Sequence, residues 1–331
     1  MFICIIKPAY LNIFLNFCPV QTIIFLSVYM RSDSTDSLLG KGESGLPAVE
    51  IEKMLERIRE IPPMPESIVH LMEISNSNKY FTREFSAIIE SDPSLTASIL
   101  KVANSAYAAQ NREITSVKEA VTILGKNMVV STAIRSFSGK FFDRKLAGYG
   151  GGGQSLWKHS FATAIAASEV AGCGKAIDTE TSFTAGILHD VGKVLISEHM
   201  SGHEEVLSRK LDESTVNDYL ALERSILGTD HCEVGALLAE NWKLPEALVE
   251  SIRCHHHPSL AERPGRDIVS AVHLGDILAM EIGVSTGSDC MCYRMDRTVI
   301  DILQISENDM EKLRDRVKSK YQRRLAMYSW G

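Results

Sequence analysis

The stretch Thr184-Ala-Gly-Ile-Leu-His-Asp-Val-Gly-Lys193 sets a histidine and an aspartate side by side, His189 and Asp190, at the end of an apolar run. Histidines and a carboxylate recur on both sides of it. They are His159 in Trp-Lys-His-Ser, His231 in Asp-His-Cys-Glu, the run His255, His256 and His257, and Asp276 in His-Leu-Gly-Asp. Neutral imidazole and carboxylate together suit borderline divalent metals such as iron, manganese or zinc, whereas an all-oxygen set would suit magnesium or calcium. The gaps between these residues are about twenty to forty positions. Such gaps fit a helical bundle in which each inward-facing helix lends one ligand to a shared pocket, and they exclude a short finger. On one helix the three histidines 255 to 257 cannot all face one point, which makes His257 the ambiguous member of the run. By the same rule Cys232 and Cys254, each next to a histidine and so turned about 100° away, are not expected to share the pocket.

Outward from that stretch the chain reads as helix after helix, giving an all-α fold. Apolar residues recur at the helical period: Ile68, Leu71 and Met72; Phe85, Ile88 and Ile89; Leu95, Ile99 and Val102; Val117, Ala120, Val121 and Leu124. Start signals agree, with Asp92 and Pro93 forming an N-cap and first helical position, and Ser116 and Glu119 a capping box. Phe161, Ala164, Ile165 and Ser168 prolong the helix of His159, and Val234, Leu237, Leu238 and Trp242 that of His231. Met310, Leu313, Val317 and Tyr321 mark an amphipathic closing helix whose basic flank reads as a solvated face.

The glycine tract 148–153, broken only by Tyr149, is the best internal boundary, because glycine has the most backbone entropy to lose on ordering. It divides an N-terminal helical lobe, 51–147, from a ligand-bearing helical bundle, 155–285, with a C-terminal helical extension over 286–331. Residues 1–50 are expected to be a leader and a disordered segment. The apolar start is interrupted by Pro8, Asn12, Asn16, Pro19 and Gln21, which makes a poor membrane span, and Met30 is the expected native start.

With 331 residues, 45% of them hydrophobic, the chain can bury one large core or two smaller ones. A net charge of −7 without a basic stripe excludes a dominant non-specific affinity for nucleic acid. The seven cysteines are scattered, with no CxxC pair, which excludes a disulfide framework and points to the cytoplasm. His70, His199, His203 and His273 are read as structural.

Several motifs in one order carry a resemblance over roughly residues 51 to 280. Ile-Pro-Pro-Met-Pro-Glu from Ile61, Ser-Asp-Pro-Ser-Leu-Thr from Ser91, Ala-Asn-Ser-Ala from Ala103, the segment Ile114 to Gly125, Trp-Lys-Leu-Pro from Trp242 and His-His-His-Pro from His255 resemble the HDOD domain. This is a bacterial signalling relative of the HD superfamily of metal-dependent phosphohydrolases. The resemblance implies that His159, His189, Asp190 and Asp276 form a primary ligand set and that His231, His255 and His256 hold a second metal. One or two divalent ions are therefore expected, iron or manganese ahead of zinc. Many HDOD domains have lost these ligands; this chain keeps them.

The leading expectation is a cytoplasmic signal-transduction module acting through signalling protein partners, with neither nucleic acid nor membrane as a partner. A second is a metal-dependent phosphohydrolase acting on a nucleotide or phosphoester. In it Asp190 holds a metal-polarised water, and Lys193 matches a family lysine that faces the substrate phosphate. Lys193 also has a plainer role open to it, as a lysine near a helix C-terminus meeting the dipole there. The Gly-Tyr-Pro signature of the cyclic-dinucleotide branch is missing, for after His257 the chain reads Pro-Ser-Leu-Ala-Glu-Arg-Pro-Gly-Arg. A third expectation is a di-iron HD site performing oxygen chemistry.

Overall fold

Apolar residues spaced three and four apart give each segment a single face to bury, and the fold answers with helices packed on helices. The computed structural model describes residues 56–75, 82–107, 113–173, 177–203, 219–262, 265–287, 289 and 293–328, and among them there is no strand. The expected leader and polar segment, 1–50, lie outside the described residues.

The N-terminal lobe includes α1 (Glu66–Ser75), α2 (Thr82–Glu90), α3 (Pro93–Tyr107) and α4 (Val117–Phe142), the last interrupted at Gly125. Ile68, Leu71, Met72, Phe85, Ile89, Leu95, Ile99 and Val102 are all buried, as their spacing requires. Asp92 caps α3, its Oδ1 accepting from the backbone N–H groups of Ser94 at 2.9 Å and Leu95 at 3.1 Å. The Asn104 amide donates to the carbonyls of Leu100 and Ile114, both at 2.9 Å, and accepts from the Ile114 N–H at 2.7 Å. Two of the motifs read from the sequence are thus one device, a side chain stitching the approach to α4 back onto α3.

The second lobe runs α5 (Ser155–Ala171), α6 (Thr179–Leu188), α7 (Lys193–Met200), α8 (Tyr219–Leu227), α9 (His231–Asn241), α10 (Glu246–Cys254) and α11 (Arg266–Glu281). Then come α12 (Thr298–Leu303) and the closing α13 (Glu307–Leu325), opened by a Ser306–Asp309 capping box and burying Leu313 and Val317. Helix α5 is the axis of the lobe, packed by α6, α11 and α13. Two glycines let its neighbours come this close. A Cβ on Gly186 would lie 2.6 Å from the Ala164 Cα, and one on Gly275 would lie 2.7 Å from the Ala167 N, both nearer than atoms can pack. Backbone therefore rests on backbone, and His159 on α5, His189 at the end of α6 and Asp276 on α11 are drawn towards one point.

The lobes share one apolar core, continuous from Ile58 and Met64 to Trp157, Trp242 and Tyr328. The Trp242 indole donates to the Pro62 carbonyl at 3.1 Å and the Asn241 amide to that of Ile58 at 3.2 Å. Ile-Pro-Pro-Met and Trp-Lys-Leu-Pro are thereby two sides of one contact. The glycine tract is not a loose joint. Ala147–Tyr149 forms a 3-10 turn, Tyr149 is fully buried, and Gly148 and Gly151 lie against the backbone at Ser197 and Thr286. Glycine serves there to let segments touch, which composition cannot tell from flexibility. No helix among the described residues is long and apolar enough to cross a membrane.

Candidate metal centre

The seven residues singled out as ligands, His159, His189, Asp190, His231, His255, His256 and Asp276, converge on one buried pocket, none more than 5% exposed. Asp190 sits in its middle. Its Oδ2 lies 3.6 Å from His159 Nε2 and 3.4 Å from His189 Nε2, while its Oδ1 lies 3.3 Å from His231 Nε2 and 3.6 Å from His255 Nε2. Asp276 closes one side, with Oδ1 at 2.9 Å from His159 Nε2 and 3.8 Å from His189 Nε2. On the other side His256 Nε2 is 3.2 Å from His231 Nε2. Donor atoms held about 2.1 Å from a shared cation stand roughly 3 to 3.5 Å from one another, and the separations here, from 2.9 to 3.8 Å, lie close to that.

Four imidazoles are held by their outer nitrogen. Nδ1 of His159 faces the Val284 carbonyl at 2.9 Å, that of His189 the Gly186 carbonyl at 2.9 Å, and that of His255 the Ile252 carbonyl at 2.8 Å. His231 Nδ1 instead faces the buried carboxylate of Glu223 at 2.8 Å. An acceptor at Nδ1 fixes the proton there and leaves the Nε2 lone pair for the pocket. Glu223 went unnoticed in the sequence, where it is one acidic residue of a surface-like run. Folded, it is fully buried and also accepts from the His231 backbone N–H at 2.8 Å and the Tyr149 hydroxyl at 2.6 Å.

Lys193 opens α7 instead of closing a helix, so the dipole there repels it and carboxylates hold it. Its ammonium lies 2.8 Å from Asp190 Oδ2, 2.6 Å from Asp289 Oδ2 and 3.2 Å from the Thr286 hydroxyl. Three donors meet three acceptors, and the side chain is buried beneath the pocket. Asp289 in turn accepts from Thr286 and from the Tyr293 hydroxyl, at 2.9 and 3.1 Å. Thr286, Asp289 and Tyr293 belong to the C-terminal extension, which therefore completes the floor of the site; nothing in their local sequence signalled it.

Electrostatics divide the pocket. Burial alone would raise Asp190 and Asp276, yet His189 and Lys193 beside the first, and His159 beside the second, hold both carboxyls well below the usual range. Burial would also lower His159 and His231, and their carboxylate partners, Asp276 and Glu223, overcome it and raise them. His255 is pushed down to about 4, chiefly by burial, and His256 falls well below its ordinary value through burial and its histidine neighbours.

The donor set fits a metal. His189 Nε2, His255 Nε2, His256 Nδ1 and Asp190 Oδ1 are buried without a hydrogen-bond partner. Each such atom costs about 1–3 kcal/mol unless something satisfies it, and cations in the pocket would do so. By contrast His273, read as structural, is complete without one: Nδ1 faces the His255 carbonyl at 2.7 Å and Nε2 accepts from the Asp296 N–H at 2.9 Å. His257, at the mouth of a 3-10 turn, is only half-buried. Cys232 departs from expectation, for its sulfur lies 3.5 Å from His231 Nε2, inside the ligand cluster.

Comparison with known proteins agrees with the helical fold. The family model described as the HDOD domain matches residues 61–258. A protein of Treponema pallidum (strain Nichols), itself uncharacterized, is 26% identical over 226 residues, 66% of this chain and 42% of that protein, so the chain spans less than half the length of that relative. An HDOD domain protein of Geobacter sulfurreducens has the same fold, with a TM-score of 0.61 and 24% identity over 84% of this chain and 98% of its own. So does a protein of Marinobacter aquaeolei VT8 provisionally assigned to signal transduction, with a TM-score of 0.67 and 23% identity over 84% of this chain and 64% of its own. A provisionally assigned phosphohydrolase of Shewanella amazonensis SB2B follows at 0.56 and 24% identity over 83% and 96%.

Proposed function

The chain belongs to the HDOD family, and from that premise we propose that it is a signal-transduction module built around a buried divalent-metal centre of HD type. The observation that carries the proposal is Asp190, one carboxylate between two sets of inward-facing imidazole nitrogens. His159, His189, Asp190 and Asp276 would hold one ion. His231, His255 and His256, with the other oxygen of Asp190, would hold a second. A bound cation would supply Lewis acidity and lower the pKa of a water in its shell.

Two features favour a regulatory over a hydrolytic role. The ligands are enclosed, whereas a hydrolytic site keeps a coordination position open to substrate. Lys193, the residue expected to face a phosphate, has its donors turned to Asp190, Asp289 and Thr286. These residues position the centre: Lys193 orients Asp190, Glu223 orients His231, and Tyr149 and Tyr293 tie the two buried carboxylates to the surrounding helices. The family's helical surfaces would then carry the signal to a protein partner.

Elemental analysis of protein purified without added metal, paired with a screen of nucleotides and generic phosphoesters, tests this reading. The expected result is one or two divalent ions per chain and hydrolysis no faster than that of Asp190→Ala. Metal-dependent turnover abolished by Asp190→Ala would transfer the proposal to a phosphohydrolase, for which the bridging position of Asp190 also speaks. Metal-free protein that gains no thermal stability from iron, manganese or zinc would end it.

A further inference from the structure

The ligand cluster on the α9 side holds an atom that the HD pattern does not use. Cys232 is 3% exposed, and its sulfur is 3.5 Å from His231 Nε2 and 3.8 Å from His255 Nδ1. One donor atom each from His231, Cys232, His255 and His256 falls within a single sphere of mutual distances no greater than 4.8 Å. A thiolate bound at about 2.3 Å and an imidazole at about 2.1 Å lie near 3.5 Å apart on one shared ion. That is the separation of Cys232 from His231.

The expectation that neighbouring residues on a helix diverge fails here for a geometric reason. His231 and Cys232 are the first two residues of α9, directly after the Asp230 N-cap. Side chains lean towards the helix N-terminus, so in the first turn two adjacent ones can reach a common point beyond the helix end, where neither would meet in mid-helix. On the two other histidines of the cluster, His255 Nε2 and His256 Nδ1 are buried and lack a hydrogen-bond partner, as nitrogens awaiting a cation would.

We propose that Cys232 is a ligand of the second ion, which makes the α9 side a mixed imidazole and thiolate position selective for zinc-class cations over manganese or magnesium. The inference rests on the metal centre proposed above and adds to it an asymmetry: a harder position beside Asp276, a softer one beside Cys232. On loading, the S–H bond breaks, a sulfur–metal bond forms, and the proton leaves to solvent. No oxidant or reductant takes part. Without a cation, burial and the carboxylates of Asp230 and Glu223 keep the group a thiol.

Cobalt(II) titrated into the chelator-stripped full-length protein under reducing conditions gives the test. The expected spectrum shows visible d–d bands together with a near-ultraviolet thiolate-to-cobalt band, and C232S loses the second while keeping the first. Visible bands with no thiolate band in the unaltered protein, or a thiolate band that survives C232S, would overturn the role of Cys232 and leave the histidine centre standing. Failure to bind cobalt at all would overturn both. Should C232S lose its helicity, scalar coupling between bound cadmium-113 and the Cys232 β-protons of the unaltered protein decides instead. Its presence supports ligation, and its absence with cadmium bound refutes it.

Discussion

The two sides of Asp190 are built from the same residue types and solve the same problem differently. On the α5 side, His159 and His189 are oriented by backbone carbonyls and charge is balanced by Asp276 within the pocket. On the α9 side, His231 is oriented by a carboxylate, Glu223, placed behind it, and the facing groups are two neutral histidines and a thiol. The first side carries its negative charge where an ion would touch it. The second carries its charge one residue away, acting through an imidazole. The sides are thus expected to differ in affinity, in preferred metal and in sensitivity to acid.

Asp190 is common to both, so its loss should break the comparison altogether. Asp190→Asn keeps the shape but removes the shared anion, and bound metal on both sides is expected to fall below detection in elemental analysis; retention of either ion would show that side to be self-sufficient. Next in size is Glu223→Gln. Outer partners of ligating histidines change metal affinity by about 10–100-fold, and calorimetry should register that loss on the α9 side alone.

Acid should sharpen the contrast further. His159 and His231 are raised by their carboxylates, so each must shed a proton before it can ligate, while His255, near 4, and His256 are neutral already. Metal affinity is then expected to fall as the pH drops through the raised values of His159 and His231, about tenfold per pH unit for each proton displaced. Calorimetry in buffers of different ionisation enthalpy counts those protons. Release confined to pH values below about 5 would contradict the assignment, because ordinary histidine titrates near 6.5.

The smallest effect is expected outside the pocket. His273→Ala removes two hydrogen bonds to backbone and should cost about 1–3 kcal/mol of stability, seen in thermal melts, with metal content unchanged. Loss of metal in that variant would place His273 among the groups that hold the centre.

Much of this was legible in the chain. The helices announced themselves through the period of Ile68, Leu71 and Met72 and its successors, and through the Asp92–Pro93 start, because a helix that buries one face must repeat its apolar residues every three to four positions. The pocket's histidines and aspartates could be picked out because few other roles combine those donors in that order. Glu223 and Asp289 escaped notice, Tyr149 stood out only as the break in the glycine tract, and Cys232 was set aside on helix geometry. Each is an ordinary residue locally, and tertiary contacts such as those of Glu223 with His231 and of Asp289 with Lys193 give it a place around the pocket. The glycine tract carries a related lesson: composition records that a residue is small, not whether the space is used for motion or for contact.

The amino-acid order by itself therefore decided that this is a helical protein, through short-range periodicity, and marked the candidate donor residues, through residue chemistry and the family resemblance. Tertiary structure alone decided how those donors are shared. It set one carboxylate between two unlike sides, spent the lysine on holding it, and turned a neighbouring sulfur inward. Orientation, burial and second partners depend on groups distant along the chain meeting in space, and no local pattern encodes that meeting.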